Sequence, residues 1–164
     1  MSKDFNKNKV AVLTGAAKKI GRSTAIKLAE QGFNILIHTG GKSIEEAKDT
    51  IKLLEKLKIK SNYVTGDLAN LETINIIKDA ALKLGTPSVL VNNAGLRIHE
   101  HFEKIDYKDW KKVMTVNVDA SFLCAQALIN YMVKQKWGRV INIGGLSAHI
   151  GAVSYTHLTL PTTY

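Results

Sequence analysis

The 164-residue sequence predicts an α/β protein whose strands form a doubly wound parallel sheet, truncated after a fifth strand. Two observations carry this. Short continuous apolar runs recur along the chain, separated by longer segments of helical period, and the first run leads directly into a glycine-containing turn, TGAAKKIG, that opens a helix. A strand open to water on one face would alternate polar and apolar residues, so unbroken apolar runs imply strands covered on both faces. A helix between successive strands implies that they run parallel.

The first strand is residues 10–13, VAVL. Residues 20–31 follow as a helix, with Ile20, Ala25, Leu28 and Ala29 on its apolar side and Gly32 closing it. Residues 33–39 form the second strand. Ser43-Ile44-Glu45-Glu46 has the spacing of a capping box, in which serine and glutamate satisfy each other's free amides, and Ile51, Leu54 and Leu57 carry the helix onward. Residues 62–65 are a third strand; Asn70 caps a helix over 71–84, which Gly85-Thr86-Pro87 breaks, and 88–91 is a short fourth strand. Two helical segments, 107–118 and 120–136, precede a fifth strand at 139–143. The sequence contains no solenoid-period repeat and no low-complexity linker.

A hydrophobic fraction of 45% over 164 residues suits one core and one domain. The formal charge of +9 raises nucleic-acid binding as a possibility, but only Arg22, Arg97 and Arg139 are arginines among 23 basic residues. The lysines are interleaved with acids, as in Lys52-Leu53-Leu54-Glu55-Lys56, and no basic stripe alternates with aromatics, so a nucleic-acid partner is not expected. No stretch approaches the roughly 18 continuous apolar residues of a membrane span. The N-terminus lacks the apolar region of a signal peptide, which predicts a cytoplasmic protein without a membrane partner. The single cysteine, Cys124, lies within an apolar run and reads as a small buried hydrophobe.

At the junction of the first strand and first helix, free amides and the positive end of the helix dipole favour a pyrophosphate. Gly15 would make the tight turn and Gly21 the close helix-to-sheet contact. An acid at the end of the second strand would bind the free 2′-hydroxyl of NAD, whereas bases favour the 2′-phosphate of NADP. Here the chain reads Ile37-His38-Thr39-Gly40-Gly41-Lys42-Ser43, with no acid before Glu45. Lys18, Lys19 and Lys42 are therefore expected to converge on a 2′-phosphate, and NADP is the expected cofactor.

Four separated segments, TGAAKKIG, GDLAN at 66–70, NNAG at 92–95 and VNVDASF at 116–122, together resemble the short-chain dehydrogenases/reductases, in the right order from about residue 10 to 145. The resemblance implies a Rossmann fold over residues 1–152 that binds NADP, a small-molecule substrate and a homo-oligomeric parent protein. A base at Lys19, where the family has a glycine, is similar to the pteridine-reductase-like members, which use NADPH. The same resemblance sets Asp67 and Leu68 near the adenine and Asn93-Ala94-Gly95 along the cofactor, with Ile20 and His38 completing the cofactor-contacting set. Asn117 would support the catalytic proton relay.

The family's chemistry uses a tyrosine as proton donor, a lysine four residues later, and a polar group after the fifth strand that holds the substrate. In RVINIGGLS that polar position is Gly145, and the nearest hydroxyl is Ser147. Tyr155 resembles the acid, yet Thr159 stands four residues on, and no lysine follows Lys136. His99-Glu100-His101 resembles a pair of metal ligands but falls in the loop beside the active site, and no metal is expected. Finally, VSYTHLTLPTTY, residues 153–164, contains no charge and four threonines, and resembles a translated frame of a sequencing adapter. This tail is expected to be non-native, with the authentic chain ending near Ala152.

Overall fold

Five strands, β1 (Lys9–Leu13), β2 (Asn34–Thr39), β3 (Ser61–Thr65), β4 (Thr86–Asn92) and β5 (Arg139–Asn142), form a parallel sheet in the order β3-β2-β1-β4-β5. The helices are α1 (Lys3–Asn6), α2 (Lys19–Glu30), α3 (Ile44–Glu55), α4 (Leu71–Leu84), α5 (Tyr107–Met114) and α6 (Ala120–Lys134). This computed structural model describes residues 3–98 and 100–145; His99, Ser147, Tyr155, Thr159 and the tail 153–164 lie outside the described residues.

Strand residues alternate between two cores, as the period of two requires. Ala11, Leu13, Ile35 and Ile37 face Ala25 and Ala29 of α2 and Ala47 and Leu54 of α3. Val10, Val12, Leu36 and Leu90 face Ile74, Ile77 and Ala81 of α4 and Cys124, Leu128 and Met132 of α6. The sheet is therefore wound on both faces, with β2 on one side of β1 and β4 on the other. In such sheets the connections diverge at this point and leave a crevice beyond the strands' carboxyl ends.

Local signals explain most boundaries. The N–H of Gly32 donates to Ala29 O at 2.8 Å and that of Phe33 to Leu28 O at 3.3 Å, the paired bonds of a Schellman ending to α2. Asn70 caps α4, its Oδ1 accepting from the Glu72 N–H at 2.9 Å. Cys124 is buried, and desolvation pushes its thiol up to about 11, so it packs as a hydrophobe.

Three details differ from expectation. Ser43 makes no side-chain cap bond; a 3-10 turn (Gly41–Ser43) precedes α3, and Glu46 reaches Lys18 instead of closing a capping box. Pro87 lies inside β4 rather than before it, opposite Val10, and the register shifts directly after it so that Ser88 is bulged out of the pairing with β1. The two predicted long helices are one, Tyr107–Lys134, continuous through a π-turn at Thr115–Asp119, since no glycine or proline interrupts the segment. By length and composition alone this helix is long and apolar enough to cross a membrane. Its Ala120, Cys124, Leu128 and Met132 are instead buried in the core beneath the sheet.

Candidate functional site

The crevice at the carboxyl ends of β1 and β4 is built from two interlocked turns. Thr14 follows β1 directly, and its Oγ1 accepts the backbone N–H groups of Asn93 at 3.1 Å and Ala94 at 3.0 Å. Asn93 Nδ2 donates back to Thr14 O at 3.1 Å and Gly15 O at 2.9 Å. Gly15 has φ +61°, and a Cβ there would lie 2.7 Å from Ala94 Cα. At Gly21 a Cβ would lie 2.5 Å from Ala16 Cα and 2.9 Å from Asn93 Nδ2, so both glycines are required by close approach. Thr14 is a structural member of the site that sequence reasoning passed over; its position directly before Gly15 was the available signal.

The turn is joined to β2 by the Ala16 N–H, which donates to His38 O at 3.0 Å. His38 is buried, its Nε2 lies 3.0 Å from Gly66 O, and its Nδ1 has no partner. Desolvation lowers its pKa below the usual histidine value, against smaller opposing effects of the Gly66 carbonyl and Asp67. The Gly66 contact ties the end of β2 to the segment carrying Asp67, whose Oδ1 accepts from the Ala69 N–H at 3.0 Å, and Leu68, which is buried.

The first turn of α2 contains no acid, and the N-cap residue Lys18 provides no side-chain cap. Uncapped amides beside Lys18 and Lys19 are suited to an anion. Lys19 adopts φ +52°, a left-handed conformation that a glycine would take without strain, while Ile20 beside it is exposed. Of the three lysines expected to converge, Lys19 and Lys42 are exposed and have no ion-pair partner among the described residues. Lys18 Nζ lies 2.9 Å from Glu46 Oε1. The hydrogen bond from Lys18 is the main reason that the Glu46 carboxyl is held below its ordinary range. Glu46 is thus an acid at the site that the linear reading placed elsewhere, because the helix brings it back over the turn.

On the other side, Asn93, Ala94 and Gly95 line an open cleft of about 680 Å³ with Asn117, Ser121, Asn142 and Gly145. Asn117 sits in the π-turn; its Oδ1 accepts the Leu96 N–H at 2.8 Å and its Nδ2 donates to Leu96 O at 2.9 Å. The π-turn thus holds the loop leaving β4 by both ends of one amide. Asn92 Nδ2 donates to Asn142 Oδ1 at 2.8 Å, joining β4 to β5. A Cβ at Gly145 would meet nothing within 4 Å. Of the remaining candidate metal ligands, Glu100 Oε1 accepts the His101 N–H at 2.9 Å, and no cluster of three ligating side chains occurs among the described residues. The uncapped, base-flanked turn, the closely packed glycines and the adjoining cleft fit a dinucleotide.

Residues 9–158 match the family described as short chain dehydrogenase. The chain is 39% identical over 142 residues to the uncharacterized oxidoreductase YohF of Escherichia coli, covering 85% of this chain and 56% of that protein. It is 35% identical over 153 residues to the 3-oxoacyl-[acyl-carrier-protein] reductase FabG of Aquifex aeolicus, covering 90% and 61%. Identity to the L-rhamnose 1-dehydrogenase (NADP(+)) of Thermoplasma acidophilum is 35% over 158 residues, covering 95% of this chain and 61% of the relative. The crystal structure of acetoin dehydrogenase YohF from Salmonella typhimurium superposes with a TM-score of 0.82 at 34% identity, covering 92% of this chain and 61% of that one. The chain thus spans less than two thirds of the length of these relatives.

Proposed function

Because the chain belongs to the short-chain dehydrogenase/reductase family, we propose that the protein is a cytoplasmic, homo-oligomeric NADPH-dependent reductase acting on a pteridine or another small carbonyl or imine compound. The observation that carries the cofactor choice is Lys19: a lysine held at φ +52° where a glycine would be unstrained, at a helix start without an acid. Left-handed backbone recurs at Lys58 and Lys136, so it is the place of Lys19 at the uncapped helix start that points to an anion. The NADP(+) in the name of the Thermoplasma relative supports the same choice.

In this reading the amides after Gly15 hold the pyrophosphate, and Lys19 and Lys42, joined by Lys18, meet the 2′-phosphate. His38 and Asp67 border the ribose and adenine, with Leu68 and Ile20 as apolar neighbours. Asn93, Ala94 and Gly95 set the floor along which the nicotinamide would lie. The bound cofactor would supply a hydride, and the chain's own residues would orient it. Asn117 fixes the Leu96 backbone beside the cleft and supports the proton relay, with Ser147 as a candidate substrate-holding hydroxyl.

A second reading, a 3-oxoacyl-carrier-protein reductase, is favoured by the Aquifex relative, and a noncatalytic NADP-binding regulator by the absence of a side chain at Gly145. Oxidation of NADPH and NADH by the purified full-length protein, offered a dihydropteridine, a small ketone and a 3-oxoacyl thioester, separates them. NADPH-linked turnover of the first or second supports the proposal. Turnover of the thioester alone transfers it to the second reading, and NADPH binding without turnover to the third. Equal use of NADH defeats the cofactor assignment.

A further inference from the structure

Lys18 is placed where two anions can claim it. As the residue preceding α2 it stands at the uncapped start of that helix, and the Ala16 bond to His38 O keeps this turn against the end of β2. Its Nζ nevertheless lies 2.9 Å from Glu46 Oε1, with the two side chains 49% and 39% exposed, so a ligand can reach both.

The backbone around Glu46 is held firmly. Arg22 Nη2 donates to Glu46 O at 3.0 Å and to Ala17 O at 3.1 Å, and Arg22 Nε donates to Thr50 Oγ1 at 2.7 Å. The buried Thr50 hydroxyl itself lies 2.8 Å from Ala17 O and 2.9 Å from Glu46 O. This clamp joins the first turn of α3 to the glycine turn, so the Glu46 backbone stays beside the turn and keeps its side chain within reach of Lys18.

We infer that Glu46 is a specificity-determining residue that competes with the cofactor's 2′-phosphate for Lys18 and so limits the preference for the phosphorylated cofactor. The inference rests on the NADP reading above. A 2′-phosphate that draws Lys18 away must separate an existing ion pair and leave a carboxylate facing it. A cofactor with a free 2′-hydroxyl meets neither obstacle. Pairs this exposed change an equilibrium by no more than about fivefold, and salt screens them.

Equilibrium binding of NADPH and NADH to the full-length protein, read by cofactor fluorescence, tests the idea without requiring turnover. Glu46→Gln is expected to tighten NADPH about two- to fivefold while leaving NADH nearly unchanged, with the gain diminishing at high salt. In a Lys18→Met background the same substitution should gain less. Unchanged NADPH affinity in Glu46→Gln overturns the inference. Weaker NADPH binding also overturns it, because Glu46 would then be holding Lys18 in position for the phosphate. An equal gain with Lys18 removed overturns it too, since the carboxylate would be acting without the lysine. Equal NADPH and NADH affinities in both the unsubstituted protein and Glu46→Gln defeat the NADP reading and the inference together. A preference for NADPH with no gain in the variant defeats the inference alone.

Discussion

Thr14 Oγ1 accepts the backbone N–H of Asn93 at 3.1 Å, across 79 positions of sequence, and the Asn93 amide returns a bond of 3.1 Å to Thr14 O. The turn after β1 and the turn after β4 are therefore one rigid lip. Packing explains the direction of dependence: Gly15 and Gly21 can approach Ala94 and Asn93 only because they lack a Cβ. The hydroxyl then satisfies two amides that the approach would otherwise leave without partners.

Thr14→Val keeps the side-chain shape and removes both acceptor bonds. Thr14 is 2% exposed, so water does not readily replace the hydroxyl, and the loss is expected to be about 1–3 kcal/mol in urea unfolding. Cofactor affinity should fall with it. Thr14→Ser, which restores the oxygen, should recover most of both. A Thr14→Val protein as stable as the original would show that the two amides find other partners.

Lys19→Gly separates local strain from ligand binding. Relieving φ +52° should leave the fold as stable or more stable by about 1 kcal/mol, while NADPH affinity drops about tenfold and NADH affinity holds. Calorimetry with both cofactors reads all three quantities. Parallel weakening of NADPH and NADH would mark Lys19 as a general structural element of the turn.

The sheet was legible because unbroken apolar runs such as Val10–Leu13 and Ile35–Ile37 have few alternatives once helices separate them. The glycine turn and the NNAG segment were legible as motifs, but their mutual hydrogen bonds were not, since nothing in the string states that Thr14 meets Asn93. The capping-box pattern at Ser43 and Glu46 misled for a related reason. It is a local rule, and the glutamate found a stronger charge-assisted partner in Lys18, 28 positions away. The continuity of the helix through Asn117 was legible in the absence of glycine and proline over residues 107–134, whereas the π-turn inside it leaves no composition signal.

His38 predicts a pH dependence. Burial lowers its folded pKa below the ordinary 6.5, so between those two values the unfolded chain binds more protons than the folded one. The stability associated with the neutral ring is complete above about pH 6.5 and declines as pH falls, levelling off beneath the folded pKa. The difference in unfolding free energy between the original and His38→Asn, followed from pH 8 to pH 5, should therefore change in the asparagine's favour on acidification. A difference that stays constant with pH would show that His38 titrates alike in both states.

The last prediction concerns the 164-residue chain itself, which is expected to associate in solution and to show no appreciable reductase activity. Val140 is 39% exposed, Ile141 43% and Ile143 48%, while Val118 and Phe122 across the cleft are 50% and 62% exposed. Such an apolar surface beside β5, the edge strand among the described residues, favours self-association, which sedimentation over a concentration series would detect. The sequence offers Tyr155 as a proton donor but Thr159 four residues later, where the family's chemistry uses a lysine. Assays of NADPH oxidation with and without residues 153–164 should be equally silent for pteridine and small carbonyl substrates. Robust turnover abolished by Tyr155→Phe would overturn this and show that residues 153–164 carry the catalytic acid.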